Sequence, residues 1–234
     1  MREPLGSGLD DSRFFQSGRF AERGGASFVA VFPANLWRPG APRLAILLGG
    51  LWLFGTGEAC LVAADLGNSP WTVLAQGVAE NTPLEIGVAT VAISFAVLVA
   101  WIPLRQTPGL GTILNAVVVG VAIDAMVARL PVDPGPTASW ALLAGGIALV
   151  AIGGGIYLGA RLGPGPRDGL MTGLHARTGR SLRLVRTCIE LSALITGFIL
   201  GGTVGVGTAA FALLIGPGVQ WTFYRAESRM RRLR

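Results

Sequence analysis

Long apolar blocks alternate along the chain with short polar connections. Six blocks come close to the length of a bilayer span, about 20 residues. They lie at 44–64, 84–104, 110–130, 139–160, 184–201 and 206–224. This pattern predicts an all-α integral membrane protein with about six transmembrane helices. Two shorter helical patterns interrupt it. The first opens at Asn68-Ser69-Pro70-Trp71, with Ser69 as N-cap and Pro70 as the first helical residue, where its missing N–H costs nothing. The second follows Gly163-Pro164-Gly165-Pro166-Arg167-Asp168 and runs to about Thr178. Each reaches only about 15–18 Å at 1.5 Å per residue, too short to cross, so each is re-entrant or interfacial. Residues 1–43 read as a polar, disordered cytoplasmic tail, and the Phe28–Phe32 stretch is too short to be the core of a signal peptide. Residues 44–224 form the transmembrane domain, and 225–234 a basic cytoplasmic tail.

Composition agrees with a membrane setting. Hydrophobic residues make up 51% of the chain and charged residues 14%. A soluble domain carries roughly 25% charge. A net charge of +6 raises the question of nucleic acid. All 19 basic residues are arginines, however, and they flank the apolar blocks, so orientation in a membrane explains them better. No nucleic-acid partner is expected. With the N-terminus inside, Arg38, Arg43, Arg105, the 161–183 connection and the C-terminal arginines all fall on the cytoplasmic side. Only Arg129 violates the rule. Location in the cytoplasmic (inner) membrane with both termini inside is the expectation.

Two halves align without a gap at an offset of 96 residues. Leu66-Gly67 matches Leu162-Gly163, and Pro70 matches Pro166. Leu74 and Gly77 match Leu170 and Gly173, and Thr82 matches Thr178. Gly109-x-Gly111-Thr112 matches Gly205-x-Gly207-Thr208, and Gly120 matches Gly216. Repeat 1 covers about 44–130 and repeat 2 about 139–224. Each half has three spans, an odd number, so the second half is expected to insert upside down. Two inverted three-helix repeats, each with a short helix after its first span, follow the plan of secondary transporters. Architecture alone does not establish function.

Several segments together resemble a known family. They are Leu66-Gly67-Asn68-Ser69-Pro70-Trp71, Gly109-Leu110-Gly111-Thr112-Ile113-Leu114-Asn115, Gly163-x-Gly165-Pro166-Arg167-Asp168-Gly169-Leu170-Met171, Arg186-x-x-x-Glu190 and Gly216-Pro217-x-x-Gln220. The set is similar to the YczE/YyaS/YitT-type bacterial membrane proteins, nearest the YczE branch, over about residues 44–224. The resemblance implies a multi-pass protein of the cytoplasmic membrane and implies no biochemical activity.

Charge inside a membrane is costly, so each buried polar residue is a candidate for function. Glu58 lies late in the first span, with no arginine near it in sequence. Arg183, Arg186 and Glu190 share one face of the fifth block through spacings of three and four, so Arg186 is expected to reach Glu190. The alternative role for that pair is a structural anchor at the interface. Arg167 and Asp168 open the second short helix, whose free N–H groups suit an anion. Asp168 there is equally explained as a stabilising first-turn acid. Asn115 lies deeper than Asp124, and Gln220 is the repeat mate of Asp124. The candidate substrate-binding residues are therefore Glu58, Asn115, Arg167, Asp168, Arg186, Glu190 and Gln220.

No catalytic residue, cofactor or metal ligand set is expected. The lone His175 cannot make a metal site by itself, and no hydrolase elbow, Walker loop or dinucleotide fingerprint occurs. Cys60 and Cys188 read as free buried thiols. The leading expectation is a transporter of a small solute or ion, not an enzyme. The alternative is a non-transporting interaction or regulatory protein that meets a protein partner through its basic cytoplasmic face. In both cases the lipid bilayer is the surrounding partner.

Overall fold

A computed structural model describes residues 36–231, with side chains to residue 225. The disordered tail expected from sequence falls mostly outside these residues. Eight helices follow in order: α1 Ala41–Ala64, α2 Pro70–Glu80, α3 Ile86–Leu104, α4 Leu110–Val127, α5 Pro136–Gly159, α6 Pro166–Thr178, α7 Leu182–Ile199 and α8 Val206–Arg231. The last helix runs through the basic segment that the sequence assigned to a tail.

Five helices are long and apolar enough to cross a membrane: α1, α3, α4, α5 and α8. Helix α7, expected from sequence to be a sixth span, is not among them. Its 18 residues include Arg183, Arg186 and Glu190, and these charges lower its apolar character. Large apolar side chains face outward from several helices. Val99, Ile102, Phe198, Ile199 and Leu213 are between 63% and 76% exposed. Apolar surface of that extent is unfavourable in water and needs a lipid environment. The protein is a helical membrane protein.

Helices α1 and α5 run antiparallel and touch through glycines. A Cβ on Gly57 would stand 2.7 Å from the carbonyl of Gly146, and one on Gly153 would stand 2.5 Å from the amide nitrogen of Phe54. The backbones are thus in direct contact, the arrangement that small residues permit between membrane helices. Two apolar clusters flank this seam. One gathers Leu61, Leu143, Ile147, Val150, Phe211 and Ile215 from α1, α5 and α8. The other gathers Leu47, Leu51, Val119, Ile123 and Tyr157 from α1, α4 and α5 with Leu162.

The connectors after α1 and α5 are built alike. Asp65 and Arg161 have φ of 50° and 53°, and Gly67 and Gly163 have φ of 106° and 126°. Each connector is tied to the start of a helix in the other half. The Gly207 N–H donates to the Leu66 carbonyl at 2.7 Å, and the Gly111 N–H to the Leu162 carbonyl at 2.8 Å. The Thr112 and Thr208 hydroxyls accept from the amides of Gly109 and Gly205 at 3.1 and 3.3 Å. All these residues are mates at the 96-residue offset, as are the helix starts Pro70 and Pro166, Ile86 and Leu182, Leu110 and Val206.

The two halves differ in one respect. Helices α3 and α4 pack together at Gly87 and Gly120, where a Cβ on Gly120 would lie 2.4 Å from the Gly87 carbonyl. Asp124 seals that end by accepting from the N–H groups of Gly87 at 2.6 Å and Val88 at 3.0 Å. At Gly216, the mate of Gly120, a Cβ would meet nothing within 4 Å. Among the described residues α7 packs on α2 and α6 but forms no such interface with α8.

Candidate polar site at the two broken connectors

The site begins at the N-terminus of α2. Ser69 caps that helix, with its Oγ accepting from the Thr72 N–H at 3.4 Å, and Pro70 follows at the first helical position. This places two hydroxyls against α1. Ser69 donates to Glu58 Oε2 at 2.9 Å and Thr72 to the same oxygen at 2.7 Å. Ser69 Oγ also lies 3.1 Å from Thr72 Oγ1. Glu58 is 3% exposed. Its carboxyl therefore sits at the positive end of a helix, where partial charge and hydroxyl donors offset part of its desolvation.

The N-terminus of α6 carries the second part. Gly165 is the N-cap and Pro166 the first helical residue. The carbonyl of Pro166 accepts from Trp101 Nε1 at 2.9 Å, which fixes this end against α3. The Trp101 ring lies where a Cβ on Gly169 would be, so only glycine fits there. Asp168 Oδ2 accepts from the Tyr157 hydroxyl of α5 at 3.0 Å. Asn115 Oδ1 lies 3.5 Å from the point where a Cβ on Gly165 would project, so Asn115 borders this corner.

Arg167 joins the parts. Its guanidinium stands 3.8 Å from Glu190 Oε1 on α7 and 3.9 Å from Asp168 Oδ1. Glu58 also lies within electrostatic reach of Arg167 and of Glu190. Carboxyls from α6 and α7 thus stand beside one guanidinium, which stays charged in any protein setting. Beside them runs a neutral network. Asn68 Nδ2 donates to Gln76 Oε1 at 2.7 Å, Gln76 Nε2 donates to Thr203 Oγ1 at 2.9 Å, and the Thr203 N–H returns to Gln76 Oε1 at 3.0 Å. Among the described residues three buried polar side-chain atoms have no hydrogen-bond partner: Thr56 Oγ1, Asn68 Oδ1 and Trp71 Nε1.

Of the residues singled out from sequence, Glu58, Arg167, Asp168, Glu190 and Asn115 gather in this region. Arg186 does not. It is exposed, and Glu190 pairs with Arg167 in its place. The i to i+4 rule describes neighbours on one helix, whereas α6 arrives from elsewhere in the chain. Gln220 is half-buried on α8 and shares no described contact with the cluster. Cys188 is exposed rather than buried, while Cys60 is buried, and both are free thiols. Sequence reasoning missed Thr72, Tyr157, Gln76 and Trp71 as site residues. The spacing from Ser69 to Thr72, one helical turn after an N-cap, was a usable signal for the first of them. Among the described residues no three metal-ligating side chains gather in one place.

Comparison with known proteins places the chain. Residues 41–223 match the family described as "Family of unknown function (DUF6198)". An uncharacterized protein of Haemophilus influenzae (strain ATCC 51907 / DSM 11121 / KW20 / Rd) is 40% identical over 187 residues, covering 80% of this chain and 86% of that protein. The uncharacterized membrane protein YczE of Bacillus subtilis (strain 168) is 35% identical over 177 residues, covering 74% of this chain and 82% of that protein. No solved structure matches. With a family match across nearly the whole helical part and YczE among its relatives, the chain belongs to the DUF6198 family of YczE-like membrane proteins.

Proposed function

We propose that this protein moves a small solute across the cytoplasmic membrane by alternating access of two inverted repeats. The observation that carries the reading is the polar cluster of Glu58, Arg167, Asp168 and Glu190, drawn from both halves to the starts of the two short helices. Ionisable groups in a membrane are costly and mark pathways or substrate sites, and broken helices near mid-membrane are where secondary transporters bind substrate. In this reading α7 completes six crossings, with Glu190 turned to Arg167 and the exposed Arg183 and Arg186 in its first turns at the cytoplasmic end. Helices α2 and α6 re-enter from opposite sides, and both termini are cytoplasmic, as the arginines require.

The unequal packing of the halves supports the same reading. Helices α3 and α4 are closed at Gly120 and Asp124, while their mates α7 and α8 are parted at Gly216. Two equivalent helix pairs in different arrangements are what one stage of an alternating cycle contains. The rival, an interaction or regulatory protein, draws on exposed arginines such as Arg180, Arg183 and Arg186. It gives no reason to bury an acid at Glu58.

The test is a thermal-unfolding screen of the full-length protein in detergent against amino acids, amines, organic acids, phosphate, sugars and inorganic ions. A ligand of the native state must raise the melting temperature. The expected result is stabilisation by one chemical class. It should be followed by uptake of that class into proteoliposomes. Stabilisation without uptake overturns the transport reading, and no stabilisation by any class removes the solute site as well.

A further inference from the structure

The site holds binding capacity that its own residues do not use. Both donors to Glu58 reach Oε2, and among the described residues nothing donates to Oε1. Arg167 has five N–H donors. Its two carboxylate neighbours, at 3.8 and 3.9 Å, are beyond hydrogen-bond length. Trp71, the repeat mate of Arg167, has a buried Nε1 donor with no acceptor, and Asn68, 1% exposed, has a buried Oδ1 acceptor with no donor. Asn68 and Trp71 flank the Ser69–Pro70 helix start beside Glu58, and buried polar atoms left open at such a start mark a site that is complete only when occupied.

The charges narrow the occupant. Asp168 and Glu190 stand beside one guanidinium, and Glu58 lies farther off but within its electrostatic reach. A pure anion on Arg167 would add negative charge beside three carboxyls. A pure cation on Glu58 would be repelled by Arg167 and would leave its forked donor unused. Glu58 feels the charge of Arg167, while the ion pairs that Arg167 forms among the described residues are with Asp168 and Glu190. A molecule with opposite charges a few bonds apart can lie between them and meet both. We propose that the site binds a small zwitterion with one carboxylate and one ammonium group. Its carboxylate sits on Arg167 at the N-terminus of α6, a geometry suited to a forked donor. Its ammonium sits on Glu58 Oε1.

This proposal rests on the cluster being the solute site. Its test uses the full-length protein in detergent, melted with glycine, L-alanine, L-serine or L-leucine. Alaninamide carries only the ammonium group and propionate only the carboxylate, so both are melted alongside at equal concentrations. At least one zwitterion should stabilise the protein, with both half-charged analogues weaker by about tenfold or more in apparent Kd. Glu58→Gln should weaken the zwitterion by a similar factor while leaving propionate unchanged, and Arg167→Lys should weaken the zwitterion and propionate together. Equal stabilisation by a half-charged analogue overturns the proposal, as does full zwitterion binding in folded Glu58→Gln. If another class stabilises the protein and no zwitterion does, this inference falls and the transport reading is decided by uptake of that class. If nothing stabilises it, both fall.

Discussion

Removing one member of the Arg167–Glu190 pair leaves its partner charged in a half-buried place. The side chains are 28% and 24% exposed, so water softens the penalty without abolishing it. Arg167→Leu should be the worse single change, because it strands both Glu190 and Asp168. Glu190→Leu leaves Arg167 with Asp168. We expect losses of about 1–3 kcal/mol for each single change, and a double change that costs less than the two together. Melting of the four proteins in detergent checks this, and strict additivity would show that the contact carries no energy. The pairing could not be read from local spacing. Arg186 sits four residues before Glu190 and invited a helical pair, yet it is exposed and the partner within reach opens another helix. Glu58 was legible as an acid in an apolar block. Its partner Thr72 was marked only by standing one turn after the N-cap Ser69, a weak signal because a threonine at a helix start has many ordinary roles.

The connectors hold the site in place, and their glycines are the elements' weak points. Gly67 combines a φ of 106° with backbone of Gly205 only 2.4 Å from where a Cβ would stand. Gly163 has a φ of 126° and Thr112 Oγ1 at 2.7 Å from the same point. Gly67→Ala and Gly163→Ala should each destabilise the protein by about 1–3 kcal/mol through backbone strain and displaced neighbours. Gly145→Ala is the control. A Cβ there meets nothing within 4 Å, so alanine should leave the melting temperature unchanged or raise it. Equal behaviour of all three would show that the connectors are not constrained. This part of the fold was readable from sequence, because close backbone approach demands glycine and leaves a mark. The matched Leu-Gly and Gly-x-Gly-Thr segments turned out to be the two sides of one contact, made twice. The span count was less readable. Helix α7 has the length of a crossing but carries charges whose meaning depends on what α6 brings beside them.

At the scale of the molecule the question is which side each half faces. Thr82 and Thr178 are repeat mates, both exposed, at or just beyond the ends of the two short helices. In the inverted arrangement they lie on opposite sides of the membrane. In a background with Cys60 and Cys188 changed to alanine, Thr82→Cys should react with an impermeant thiol reagent added outside, and Thr178→Cys should react only after the membrane is opened. Labelling of both from one side would overturn the inverted arrangement and the six crossings with it.

The cross-tied connectors also bear on how the chain is made. The carbonyl of Leu66 waits for the N–H of Gly207, and the N–H of Asn68 for the carbonyl of Thr203. Those partners are synthesised long after the connector itself, once α2 to α7 have been made. The opposite connector has no such delay, since Gly111 is already present when Leu162 is synthesised. One broken turn can therefore close as it is made, while its counterpart carries unmet backbone groups through most of synthesis. Such groups are costly in hydrocarbon. The expectation is that the first half needs shelter from the insertion machinery until α8 arrives.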